Sequence, residues 1–190
     1  MTLRKTGLAL AAALTTLVIT PLPLQARQAA DGRVFFDAAP RLVDTFTSNR
    51  TVSSASRPSY SFDLTIPADV GEPLQQVAIA QLNGESEARE IEYDLERTQA
   101  FTGKHRRRGD ELLLSNVSFN DDTQTIVVTF DTPVPPGTDV TIRLRPERNP
   151  RREGTYQFGI TAFPAGEQPQ GLFLGIGRLQ FFDRGDAFTR

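Results

Sequence analysis

The chain has 190 residues, with 21 Lys plus Arg against 23 Asp plus Glu, one His, one Met, and neither Cys nor Trp. The mild acidic excess argues against a general nucleic-acid binder, and the absence of cysteine excludes disulfides, thiolate metal sites and a lipid-modified cysteine. With 13 Pro, 14 Gly and 13 Phe scattered along the chain, the composition points to many short strands and turns.

Residues 1–26 read as an export signal, with Arg4 and Lys5 as the charged start, Gly7 to Ile19 as the apolar core and Leu24-Gln25-Ala26 as the cleavage site. The apolar stretch is broken by Pro21 and Pro23 and falls short of the roughly 20 residues a membrane span needs, so cleavage rather than anchoring is expected. No later stretch is apolar enough to span a bilayer. Residues 27–32 form a flexible lead-in, residues 33–183 one domain and residues 184–190 a frayed tail. Export without cysteine points to a bacterial periplasm or the cell exterior.

Arg33 to Asp37 reads as a first edge strand ended by Pro40, and Thr47 to Ser59, rich in Ser, Thr, Arg and Asn, as a long exposed loop. Tyr60, Phe62, Leu64 and Ile66 then alternate with Ser61, Asp63 and Thr65, the pattern of a strand buried on one side. Leu74 to Leu82 is a further strand, turning at Asn83-Gly84 towards Arg89. Glu90, Glu92, Asp94 and Glu96 alternate with Ile91, Tyr93 and Leu95. As a strand this sets four carboxylates in a row; its second half also suits a short helix capped by Asp94, and the residues allow both.

Lys104 to Asp110 is a basic turn, followed by a strand over Leu112 to Phe119. Thr125 to Asp131 and Asp139 to Arg145 are expected to pair, with the proline-rich link Thr132 to Gly137 outside the sheet. A second Arg-rich loop spans Pro146 to Gly154. The final hairpin joins Tyr156–Ala162 to Leu172–Phe182, whose apolar parity slips across Gly175 and Gly177, as a β-bulge or burial on both faces would produce. The whole is read as all-β, an immunoglobulin-like two-sheet sandwich of about eight strands, with a small barrel as the alternative.

The residues offer little chemistry. His105, alone in a charged turn, reads as solvated and leaves no zinc site of the usual His and Cys ligands and no ready triad. No catalytic residue, metal ligand or cofactor is assigned. The acidic row and the turn pair Asp121-Asp122 could bind calcium or serve a carboxylate-dependent hydrolase of envelope glycans, although neither has the spacing of a calcium loop. The candidate binding residues are the two basic runs, Lys104, Arg106, Arg107 and Arg108 in one and Arg148, Arg151 and Arg152 in the other. With three strands between them, they are expected at opposite ends of the sandwich.

Gly71-Glu72-Pro73-Leu74-Gln75, Pro133-Val134-Pro135-Pro136-Gly137-Thr138 after Phe130-Asp131, Arg148-Asn149-Pro150-Arg151, Thr161 to Glu167 and Leu174 to Leu179 together resemble the signature blocks of domain of unknown function 2808, a family of exported cyanobacterial proteins. The resemblance covers about Gly32 to Phe182 and implies export without supplying catalytic residues. The resulting expectation is a non-enzymatic binding or structural module, periplasmic or extracellular, whose partner is an envelope protein or polysaccharide.

Overall fold

The computed structural model describes residues 32–54, 56–82 and 91–183. The expected signal sequence, most of the expected lead-in, the expected Asn83-Gly84 turn and the expected tail lie outside the described residues. Among the described residues there are twelve strands: β1 (Arg33–Val34), β2 (Arg41–Thr47), β3 (Tyr60–Thr65), β4 (Leu74–Gln81), β5 (Gln99–Lys104), β6 (Arg107–Leu112), β7 (Leu114–Asn120), β8 (Thr125–Val134), β9 (Asp139–Leu144), β10 (Gly154–Pro164), β11 (Gln168–Pro169) and β12 (Leu172–Phe181). Sheet I has the order β12-β10-β4-β8-β7 and sheet II the order β2-β3-β9-β5-β6. The short strands β1 and β11 pair in parallel apart from both.

The two sheets face one another as an immunoglobulin-like sandwich. Inward positions follow the period-two patterns of the sequence: Tyr60, Phe62 and Leu64 of β3, Val140, Ile142 and Leu144 of β9, Ile126, Val128 and Phe130 of β8, and Phe158 and Ile160 of β10 are all buried. Aromatic rings fill the centre, with Phe62 edge-on to Phe158 at 5.6 Å and Tyr156 edge-on to Phe181 at 5.4 Å. No closed barrel forms, because the ladders of the two sheets stay separate. At one seam β12 and β2 touch through Thr45, whose hydroxyl donates to the Arg178 carbonyl at 3.1 Å.

Several elements depart from the sequence pattern for identifiable reasons. The first edge strand shrinks to two residues, and Arg41–Thr47, which the sequence pattern did not single out, forms the edge strand β2. Its alternation is disguised by a register shift between Leu42 and Asp44. The strands β8 and β9 do not pair: β8 lies between β4 and β7, and β9 between β3 and β5, so the proline link carries the chain from one sheet to the other. Pro133 itself lies within β8. The strand β4 pairs with β8 and β10, not with the acidic run, which forms a single bridge at Tyr93 and a 3-10 turn over Leu95–Arg97 with Asp94 at its N-cap. The final hairpin forms as expected, and its parity slip is a bulge at Ile160/Thr161 opposite Gly175, whose φ of 129° suits glycine.

The loop before β3 is not loose. Asn149, 1% exposed, donates through Nδ2 to the carbonyls of Asn49 and Thr51 at 2.9 and 2.8 Å, and its Oδ1 accepts from the Tyr60 hydroxyl at 3.1 Å. The Asn149 backbone N–H adds a bond to Ser54 O at 3.0 Å. A stretch that buries little apolar surface is thus ordered by polar ties.

Candidate functional site

On β3, Ser61 and Asp63 point away from the hydrophobic core, yet each is only 2% exposed. The strand expected to be half-buried is therefore covered on both faces. The cover is the β5–β6 hairpin. Gly103, with φ of 83° at a register shift after Phe101, bends the hairpin back over its own sheet. A Cβ at that position would sit 2.5 Å from the Arg107 carbonyl oxygen, so only glycine fits the bend.

The bend carries His105 onto the sheet. Its ring stacks on Phe46 of β2, with centroids 4.7 Å apart and planes at 13°. Its Nδ1 donates to Asp63 Oδ2 at 2.6 Å and its backbone N–H to Asp63 Oδ1 at 3.0 Å. Thr141 Oγ1, fully buried, lies 2.8 Å from Asp63 Oδ1 and 2.9 Å from the Gly103 carbonyl, its one proton shared between these acceptors. Asp44 Oδ2 stands 4.0 Å from His105 Nδ1. The histidine expected to be solvated has a side chain 8% exposed and closes the centre of a polar knot.

Asp44, Asp63 and His105 could each offer a metal one ligand atom within 4.8 Å of the others. Both Asp63 oxygens already accept protein hydrogen bonds, and His105 Nδ1 is committed to one of them. The knot is complete as an anchor. As a proton-transfer dyad it lacks a working end: His105 Nε2 is buried and meets no hydrogen-bond partner among the described residues.

Outside the knot the hairpin presents its cations to solvent. Lys104, Arg106, Arg107 and Arg108 are exposed, and Lys104 reaches Asp139 at 3.8 Å. A cleft of about 540 Å³ is lined by Val43, Asp44, Asp63, His105, Lys104, Arg106, Arg107 and Asp139. The second basic run is elsewhere. Lys104 lies beyond the Asp139 end of β9, whereas Arg148, Arg151 and Arg152 follow its Leu144 end, so sheet II keeps the two apart. Among the described residues the acidic row does not come together: Glu92 and Glu96 are exposed, and Asp94 stands at the N-cap of the 3-10 turn without a side-chain capping bond and meets Arg97 at 3.9 Å, while Glu90 lies outside the described residues. Asp121 Oδ1 accepts from Gln124 Nε2 at 2.8 Å within its turn.

The pattern of the sequence concealed Asp63, Thr141, Asp44 and Phe46. One signal was available: aspartate is depleted from strand centres, and Asp63 sits in the middle of β3. Nothing local told which hairpin would fold over it.

A family model described as Protein of unknown function (DUF2808) matches residues 33–181. No curated protein matches the chain by sequence. Among solved structures, the N-terminal domain of the Streptococcus gordonii adhesin Sgo0707 is 12% identical, with a TM-score of 0.49 over 77% of this chain and 33% of that one. The full-length major pilin SpaD from Corynebacterium diphtheriae is 11% identical, with a TM-score of 0.47 over 74% and 34%. The collagen-binding domain from a Staphylococcus aureus adhesin is 8% identical, with a TM-score of 0.40 over 74% and 98%. The chain thus spans about a third of the first two, and nothing about ligand or partner follows from these likenesses. Among the described residues no helix is long and apolar enough to cross a membrane.

Proposed function

The chain belongs to the family of proteins of unknown function DUF2808, and from that premise we propose that it is an exported, non-enzymatic module that holds an envelope protein or polysaccharide by an acidic group. The observation carrying this reading is the pinned hairpin. Stacking on Phe46 and the bonds to Asp63 fix the turn, so Lys104, Arg106 and Arg107 are presented beside a cleft from a rigid base. Fixed cations lose less side-chain freedom on binding than cations on a mobile loop. The export pattern of residues 1–26 supports a place in the periplasm or outside the cell. Among the described residues, the buried, unpartnered Nε2 of His105 and the scattered carboxylates do not assemble an acid and base.

The test is capture from native envelope extract by the chain from Arg27 onward, at low and high salt, beside K104A/R106A/R107A. The expected result is retention of an anionic component by the parent chain, reduced by salt and at least about tenfold weaker with the triple variant, since each exposed cation adds to the encounter and the hold. Equal capture by parent and variant would refute the assignment to this hairpin.

A further inference from the structure

A second group of cations on sheet II has an environment unlike the first. Arg143 projects from the outer face of β9, where its register partners are Ser61 on β3 and Gln99 on β5. Its guanidinium lies 5.3 Å from the centre of the Phe101 ring, and Arg108 lies over the same ring at 5.2 Å. Arg145, two residues along, extends the group beyond the strand end. Arg143 is only 9% exposed, and its Nε is buried without a hydrogen-bond partner among the described residues.

Asp94 and Glu147 share a groove with Arg145, but neither is paired with it. Among the described residues, no carboxylate forms an ion pair with Arg143, Arg108 or Arg145. Glu111, opposite Phe101 in register, receives Gln99 Nε2 at 3.4 Å. Burial, then Arg108, then Arg145 push the Arg143 guanidinium down from its ordinary range, and burial, then Arg97 and Arg108 do the same to Arg145. A guanidinium nevertheless stays charged in a protein. Burying such a donor unpaired is unfavourable, and buried charges are normally matched by a counter-charge.

We propose that Arg143, with Arg108 at the same Phe101 ring and Arg145 beyond the strand end, forms a subsite for an oxyanion, either a planar carboxylate or a tetrahedral sulfate or phosphate. Guanidinium forks match both shapes through paired N–H donors. Arg145 also lines a groove of about 240 Å³ whose walls carry both signs, Arg57 and Arg97 beside Asp94 and Glu147, so the anion site is confined to the Arg143 side. The inference deepens the envelope-binding reading by naming the chemistry of one contact. It does not use Lys104, Arg106 or Arg107, so the two readings fail separately.

The test is titration of the full, nitrogen-15-labelled chain with inorganic sulfate, ionic strength being held constant with chloride, while the Arg143 Nε–H resonance is followed. The expected result is a saturating shift. Arg108→Gln with Arg145→Gln, both beyond the hydrophobic core, should raise the half-saturation concentration about tenfold or more, whereas K104A/R106A/R107A should leave it within about twofold. Arg143→Lys keeps the charge but loses the fork and, followed through the backbone amide resonances of Arg108 and Arg145, should also weaken binding while the far-ultraviolet spectrum is preserved. Two further arms identify the source: tighter binding of a sulfated or uronate oligosaccharide than of free sulfate assigns the site to an acidic glycan, and equal binding assigns it to the free anion. A shift that stays linear, is reproduced by chloride, or survives the double variant unchanged would overturn the proposal.

Discussion

Sheet II carries a polar knot at each end, and the two are built from opposite chemistry. At the Leu144 end, Asn149 joins Tyr60 to the carbonyls of Asn49 and Thr51 with a neutral amide that donates and accepts at once. At the Asp139 end, Asp63 is an acceptor surrounded by donors: the His105 ring, the His105 backbone and Thr141. The amide stitches a loop that buries little apolar surface onto the end of the core. The carboxylate fixes a hairpin whose outer side is a row of cations. One knot secures the fold and the other orients a surface, so damage to each should be felt in different places.

The largest loss is expected at the neutral knot. Asn149→Ala strands the Tyr60 hydroxyl and two carbonyls and should lower unfolding free energy by about 3 to 4 kcal/mol, read from urea denaturation of the whole domain. A loss below about 1 kcal/mol would show that solvent replaces the amide and that the knot is not structural. Asp63→Asn keeps the shape but turns an acceptor oxygen into a donor facing donors, and should cost about 2 to 3 kcal/mol. Its sharper mark is local: amide exchange in the β5–β6 hairpin should accelerate more than in β10 and β12. Uniform acceleration would erase the distinction between the two ends.

The smallest effect is a matter of pH. Burial, with the neighbouring Tyr93 and Tyr156, raises the Tyr60 phenol far above its ordinary range. In the unfolded chain the phenol ionises from roughly pH 10, while the folded chain holds its proton, so the contribution of Tyr60 is whole below that pH and lost as pH rises. Stability should fall by about 1.4 kcal/mol per pH unit in this alkaline range on account of Tyr60. Tyr60→Phe should flatten the slope by that amount, and an unchanged slope would mean that the phenol is not held by the amide knot.

Much of the architecture was written in local patterns. The closing hairpin, the inward faces of β3, β8, β9 and β10, and the bulge at Gly175 all follow from alternation and its one interruption. What failed were relations between distant segments. Thr125 to Asp131 and Asp139 to Arg145 look like neighbours because a turn joins them, but a turn does not tell whether the chain doubles back or crosses to the other sheet. Likewise Ser61 and Asp63 look solvent-facing because polarity records a need for polar contact, which water or His105 can meet equally. His105 was hidden by its flanking lysine and arginines, whose exposure says nothing of the residue between them. Arg143 was hidden by its place in a strand whose alternation it continues.

The pairing of β3 with β9 and of β4 with β8 and β10 sets the order in which the chain can acquire structure. Tyr60 waits for Leu144, Phe62 for Ile142 and Ile79 for Ile160, all made much later during synthesis. Contacts of such long sequence separation form slowly, because most of the loop entropy is lost before they are rewarded. The early strands therefore spend synthesis with their aromatic faces uncovered, a state that invites aggregation. The same delay keeps the chain extended, since a polypeptide that cannot complete its core until its last third has emerged remains a thread until then.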